Sequence, residues 1–361
     1  MVVARLVCLV PLVAGCGRLG FDGFGEGDPE PGGNMTVGVE DSSARTPFEC
    51  EAVPAFATVA DADVDLAVAT TPTGASLFWV PTTGGNLHGI DLATSRQPSQ
   101  VTLVRSGPFD QASASFIDGQ LVVTVRSTLR ALVHTVPMPI GPGVEIANVW
   151  GDNIAKTAIV KAGADRVMAA SCSEVALHSF DAGWNGTEDT YLKTLSTSDH
   201  IEIAQLGTSA LTAVSIDTGC DYELATSNSA STTRLSTTFC KQARLATSGN
   251  EVAMAFETTD TVNLVIDDVS TVTAANAMPV ALGSSPRVIH HAGRYWVSYL
   301  DENANIVVGT VEDGILLLRR LAASALHDSF ELAVYDGSPW VFAVDPQSSN
   351  VYGRRLCLPS T

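Results

Sequence analysis

The chain has 361 residues, with 20 Lys and Arg against 39 Asp and Glu, a formal net charge of −19. A field of that sign repels phosphates, which excludes nucleic acid and anionic lipid as partners reached by charge. Charged residues make up 16% and apolar ones 45%, and the abundance of Thr, Ser and Val suits an exported β protein.

In chain order, MVVARLVCLVPLVAG carries a single positive charge at Arg5, an apolar run from Leu6 to Ala14 and a small-residue exit. About 20 apolar residues are needed to cross a bilayer, so residues 1–15 are expected to be a secretory signal peptide and not a span. The run Leu12-Val13-Ala14-Gly15-Cys16 resembles the lipobox of bacterial lipoproteins. That resemblance implies diacylation of Cys16 as the new N-terminus. Gly17, where an Asp retains some lipoproteins at the inner membrane, implies outer-membrane or surface placement. Residues 16–47 are then rich in Gly, Pro, Asp and Glu, and bury too little apolar surface to offset ordering. They are expected to form a flexible tether with an r.m.s. reach of about 30 Å.

The remaining residues, 48–361, exceed what most single cores hold, so either two domains or one repeat-built domain is expected. Gly74, Gly119, Gly163, Gly207, Gly249, Gly293 and Gly337 each follow a short apolar run and precede a strand-like one, at spacings of 45, 44, 44, 42, 44 and 44. Each unit repeats one order. A strand such as VDLAVAT or FELAVYD is followed by the glycine turn and a second strand such as SLFWVPT or SPWVFAVD. A polar break then leads to a third strand such as LHGIDLA or NVYGRRLC, and most units add a fourth. Period-2 alternation with β-branched and aromatic enrichment predicts strands, and no stretch carries a 3.6-residue pattern. Four antiparallel strands per 44-residue unit, seven times over, predict an all-β fold, a seven-bladed β-propeller. The glycines fit tight turns between first and second strands, where positive φ is needed.

The seventh unit reaches only to about Cys357, so PFECEAVPAFATVAD, ahead of the first unit, is expected to supply its fourth strand and close the ring. Cys50 and Cys357 would then meet at the seam and form a disulfide. Cys220 and Cys240 face each other across a hairpin of the fourth unit and are expected to form a second one. Cys172 competes for Cys220 or remains a small buried residue.

Signals for chemistry are sparse, and neither a metal nor a cofactor is expected. His134 and His178 both lie fifteen residues after their unit's glycine and are expected at outward-facing polar strand positions; His290 and His291 end a first strand, where at most one of the pair faces inward. Asp61, Asp63 and Asp65 alternate like the start of a calcium loop but lack its sixth-position glycine, Leu66 standing there, and read as a solvated acidic edge. Ser179-Phe180-Asp181-Ala182-Gly183 resembles half of the Asp-box of sialidase-type propellers. Asn185 and Gly186 break that pattern, and a plain turn is expected. Trp79, Trp296 and Trp340 lie at related offsets in second strands and are expected to fill the layers between blades. No nucleophile elbow, P-loop, C-x-x-C or H-E-x-x-H is present.

The function these features imply is a monomeric, non-enzymatic binding or scaffolding module, held to the membrane by its N-terminal lipid. The alternative is an exported hydrolase or lyase acting on a glycan or small molecule at the channel mouth. Carboxylates converging there with a His or Arg would favour the enzyme; an apolar or Thr/Ser-lined mouth would speak against it. A structural envelope protein would have no pocket.

Overall fold

The computed structural model describes residues 36–38, 47–127, 130–150, 158–171, 174–194, 198–216, 219–226, 229–231, 242–272, 276–312 and 314–358. The expected signal segment and lipidation site Cys16, together with Cys172 and Cys240 and so the expected Cys220–Cys240 bridge, lie outside these residues.

The described strands form seven sheets, five of them built from consecutive antiparallel strands of one sequence unit and two joined by a strand from ahead of the first unit. Their first strands are Val64–Thr71, Gln111–Ile117, Ala158–Ala162, Ser198–Leu206, Gln242–Ser248, Ser284–His291 and Phe330–Tyr335, and each touches the next, with the last touching the first. They surround a central channel, and the later strands of each blade stack outward. The fold is a β-propeller.

The repeat predicts identical four-stranded blades, and here the structure differs. Six sheets have four strands, whereas that of the sixth unit has five. Its extra strand, Thr36–Gly38, runs parallel to the outer strand Ile315–Ser324, with Thr36 opposite Ile315 and Gly38 opposite Leu317. This strand falls inside the segment read as a tether. An outer strand presents a row of unpaired N–H and C=O groups, and the β-prone Thr36 and Val37, with Gly38, answer three of its positions.

Turn chemistry sets the register. In the second, sixth and seventh units the two turn residues are Asp118-Gly119, Ala292-Gly293 and Asp336-Gly337, all at positive φ, as in a type I′ turn. In the third, fourth and fifth units the glycine comes first, at φ 58–63°, and the next residue is not left-handed, as in type II′. Gly74 instead opens the second strand of its unit, where a Cβ would collide with the Leu92 carbonyl.

Seven apolar clusters hold the ring together, one at each junction between blades. The second strands are covered on both faces, so Ser338–Val344 is buried throughout and Gly74–Pro81 nearly so. This corrects the expectation of period-2 alternation, because a strand packed on both sides has no polar face to alternate with. Trp340 and Trp79 fill the junction of the last and first blades, and Trp296 that of the sixth and seventh. Trp340 stacks on Phe342 with ring centroids 6.0 Å apart, and Tyr335 meets both edge-on.

The two ends of the domain share the last blade. Phe48–Thr58 pairs antiparallel with Asn350–Cys357 as the outermost strand, and Cys50 is bonded to Cys357 with Cα atoms 5.8 Å apart. Glu49 accepts from Arg354 at 2.9 Å and Glu51 from Arg355 at 3.3 Å, so two ion pairs flank the same seam.

Candidate functional site

The first strands enclose a cavity of about 230 Å³ in the channel, lined from all seven. Counted back from the last residue of each first strand, the fourth position before it is Ala67, Ser113, Ala158, Glu202, Arg244, Arg287 and Glu331 in ring order. Registration with the second strands supports the equivalence: these residues stand opposite Phe78, Thr124, Ala169, Ala213, Ala255, Ser298 and Phe342. Three consecutive blades therefore contribute small side chains, and the next four contribute acid, base, base, acid.

The charged residues pair across blade junctions. Arg244 Nη1 donates to Glu202 Oε2 at 3.1 Å, and Arg287 Nε donates to Glu331 Oε2 at 3.2 Å. Arg287, only 1% exposed, lies over the Phe330 ring at 4.7 Å and donates through Nη1 to the Ser285 and Pro286 carbonyls. Its Nη2 makes no hydrogen bond, and an Asp328 carboxylate oxygen is 3.6 Å away. Burial, with Arg244 beside it, holds the Arg287 guanidinium below its ordinary pKa, against the pull of Glu331, Asp328 and Asp65. Burial also works to lower Arg244, but Glu202, Glu331, Asp328 and Asp65 outweigh it and leave Arg244 above its ordinary value.

A chain of polar side chains leads from this cluster to the rim. His327 Nδ1 is 3.4 Å from Asp328, and its Nε2 is 4.0 Å from Glu257, whose Oε2 accepts from the Ser285 amide at 3.1 Å. Glu257 and His327 also line a second cavity of about 540 Å³, together with Asp260, Asp301 and Glu302.

The residues singled out in the sequence are not brought together. Asp65 is buried and accepts from the Ala112 amide at 2.9 Å, joining the inner strands of the first two blades. Asp61 stays at the surface and accepts from the Asp63 amide, so the three aspartates do not converge. Asp181 Oδ1 accepts from the Gly183 and Asn185 amides at 2.8 and 2.9 Å and closes its own turn, and Asp301 closes the turn to Asn305 in the same way. The Asn185 hydrogen bonds hold Asp181 below the usual carboxylate range. His290 packs on Tyr295, and His291 Nε2 donates to the Gly337 carbonyl at 3.1 Å. Among the described residues, no group of three or more His, Cys, Asp or Glu is placed to hold a metal ion.

His134 and His178 occupy equivalent register positions, opposite Val123 and Met168, but His134, expected to face outward, is fully buried between packed strands and neither of its ring nitrogens has a hydrogen-bond partner. Burial, reinforced by Arg105 and opposed by Glu145, lowers its pKa to about 4. The unfolded chain takes up this proton near pH 6.5 and the folded chain cannot, so the penalty grows as pH falls from 6.5 towards 4. Between pH 7 and pH 5 it should reach about 2 kcal/mol. Urea unfolding of the wild type and of His134→Leu at both pH values checks this. The wild type should lose about 2 kcal/mol more than the variant; equal losses would contradict the assignment.

The ring of inner charges escaped the sequence reading because units were aligned on their glycines. Arg244 lies five residues before its glycine and Arg287 six before, so equivalent positions looked different. Alignment on the two-residue turn would have revealed Glu202, Arg244, Arg287 and Glu331 as one column.

The fold and channel define the protein as a β-propeller with a charged, partly closed central cavity. Solved structures with the same architecture include the WD40 domain of Toxoplasma gondii coronin, at TM-score 0.60 and 12% identity, covering 91% of this chain and 90% of that one. Kuenenia stuttgartiensis hydrazine synthase matches at TM-score 0.60 and 13% identity, covering 84% and 99%. BBS1N, solved in complex with ARL6DN, matches at 0.55 and 10%, covering 88% and 98%. At these identities the likeness is one of fold. No protein-family model and no curated protein matches the sequence.

Proposed function

We propose that the chain is a lipid-anchored, extracytoplasmic binding module, a ring of seven blades that meets its ligand at the central channel. The observation that carries this reading is the charged column. Buried ion pairs add little stability over apolar residues of similar volume, and three blades fill the same position with Ala, Ser and Ala. Stability alone gives no reason for four successive charged blades, whereas a cavity with room on one side and oriented charge on the other suits recognition.

A thermal-shift screen of metabolites and glycans on the full chain, run beside Ala158→Phe, tests the site. Ala158 lines the cavity, and phenylalanine would fill it. Ligands that stabilise the wild type should fail to stabilise the variant; equal shifts would place binding elsewhere. Anchoring is tested in the same preparations, since Cys16→Ala should move the protein from the membrane to the soluble fraction, and retention at the membrane would defeat the lipid anchor.

The convergence of Glu202, Glu331, Asp328, Arg244, Arg287 and His327 favours a second reading, an exported hydrolase or lyase. Binding ranks first because Glu202, Glu331 and Asp328 each lie against an arginine, so the acids are engaged in ion pairs. Turnover of any screened compound that disappears in Glu331→Gln would reverse the ranking.

A further inference from the structure

Carboxylates outnumber guanidinium groups around the channel cavity. Its wall carries Glu202, Glu331 and Arg244, and behind it stand Asp65, Asp328 and Arg287, four acids against two bases. All six are less than a third exposed at the side chain or buried outright, Asp328 included at 30%. The low-dielectric wall therefore transmits the excess negative charge into the cavity with little screening. The chain as a whole, at −19, adds a field of the same sign, and clefts in such a protein concentrate cations. The small side chains of Ala67, Ser113 and Ala158 leave space across from the acids.

From this charge balance and this space we infer that the channel takes a small organic cation, with an ammonium group against Glu202 and Glu331 and an aliphatic body along the small-residue blades. A bare metal ion fits less well, because the acids face arginines and no three metal donors converge among the described residues. Arg244 between the two wall acids restricts the site to a ligand whose cationic end is compact, or one that also offers an acceptor to the guanidinium. The inference rests on the channel-binding reading above and narrows it to a ligand class.

Isothermal titration of the full chain with putrescine, and separately with succinate, tests it. Putrescine should bind saturably, at least tenfold more weakly in Glu331→Gln and in Glu202→Gln, and not at all in Ala158→Phe. Thermal unfolding of each variant confirms that it is folded, and the two glutamine variants provide independent readings should one fail. Binding of succinate without putrescine would overturn the cation class and leave the channel reading standing. So would an Ala158→Phe-sensitive ligand of another charge type from the screen, with putrescine silent. Putrescine binding indifferent to all three variants would overturn the site itself.

Discussion

Arg287→Leu is expected to lower the unfolding free energy by about 3–5 kcal/mol, the range for removing one partner of a buried ion pair. The substitution takes from Glu331 the guanidinium 3.2 Å away and from Asp328 the cation 3.6 Å away, and it removes the guanidinium from the Phe330 ring. The loss comes from the stranded acid more than from the pair. The double variant Arg287→Leu with Glu331→Leu should therefore recover a large part of it, with a coupling of about 2 kcal/mol or more. Urea unfolding at pH 7 measures both. A single-variant loss below about 1 kcal/mol would mean that the pair behaves as a solvated one.

The second large effect is expected at the seam. Cys357→Ser opens a bridge between residues 307 apart in sequence, for which the loop-entropy model gives about 5 kcal/mol, an upper figure. The domain should nevertheless stay folded. Phe48–Thr58 keeps its pairing with the last blade, the Glu49–Arg354 and Glu51–Arg355 ion pairs remain, and the Trp340 cluster at that junction is untouched. Guanidinium unfolding should show a lower midpoint with native-like β structure before the transition. Wild type in reductant should match the variant, and a midpoint unmoved by either treatment would mean that the bridge contributes nothing.

What could be read from the sequence depended on which signal each feature left. The repeated glycine marked the first turn of six units because left-handed φ is costly for other residues, and it led to strand order and blade composition. The seam was legible because the last unit lacked a fourth strand and the first was preceded by an unassigned one holding Cys50. The inner column was hidden by a one-residue shift between type I′ and type II′ turns, which share a glycine but not its place. The pairing of Thr36–Gly38 was hidden too, since three residues in a Gly- and Asp-rich stretch carry no periodicity. Asp65 illustrates a further limit. Its spacing with Asp61 and Asp63 suggested a shared role, yet burial separated it from them and gave it the Ala112 amide as partner.

Everything assigned to the channel depends on the ring being closed by the two ends of one chain. Mass mapping of the unreduced protein tests this most directly. A proteolytic fragment containing Cys50 should be recovered covalently joined to one containing Cys357, and reduction should separate them. Either cysteine joined elsewhere would contradict the closure and the channel built upon it, and free thiols at both positions would contradict the bridge.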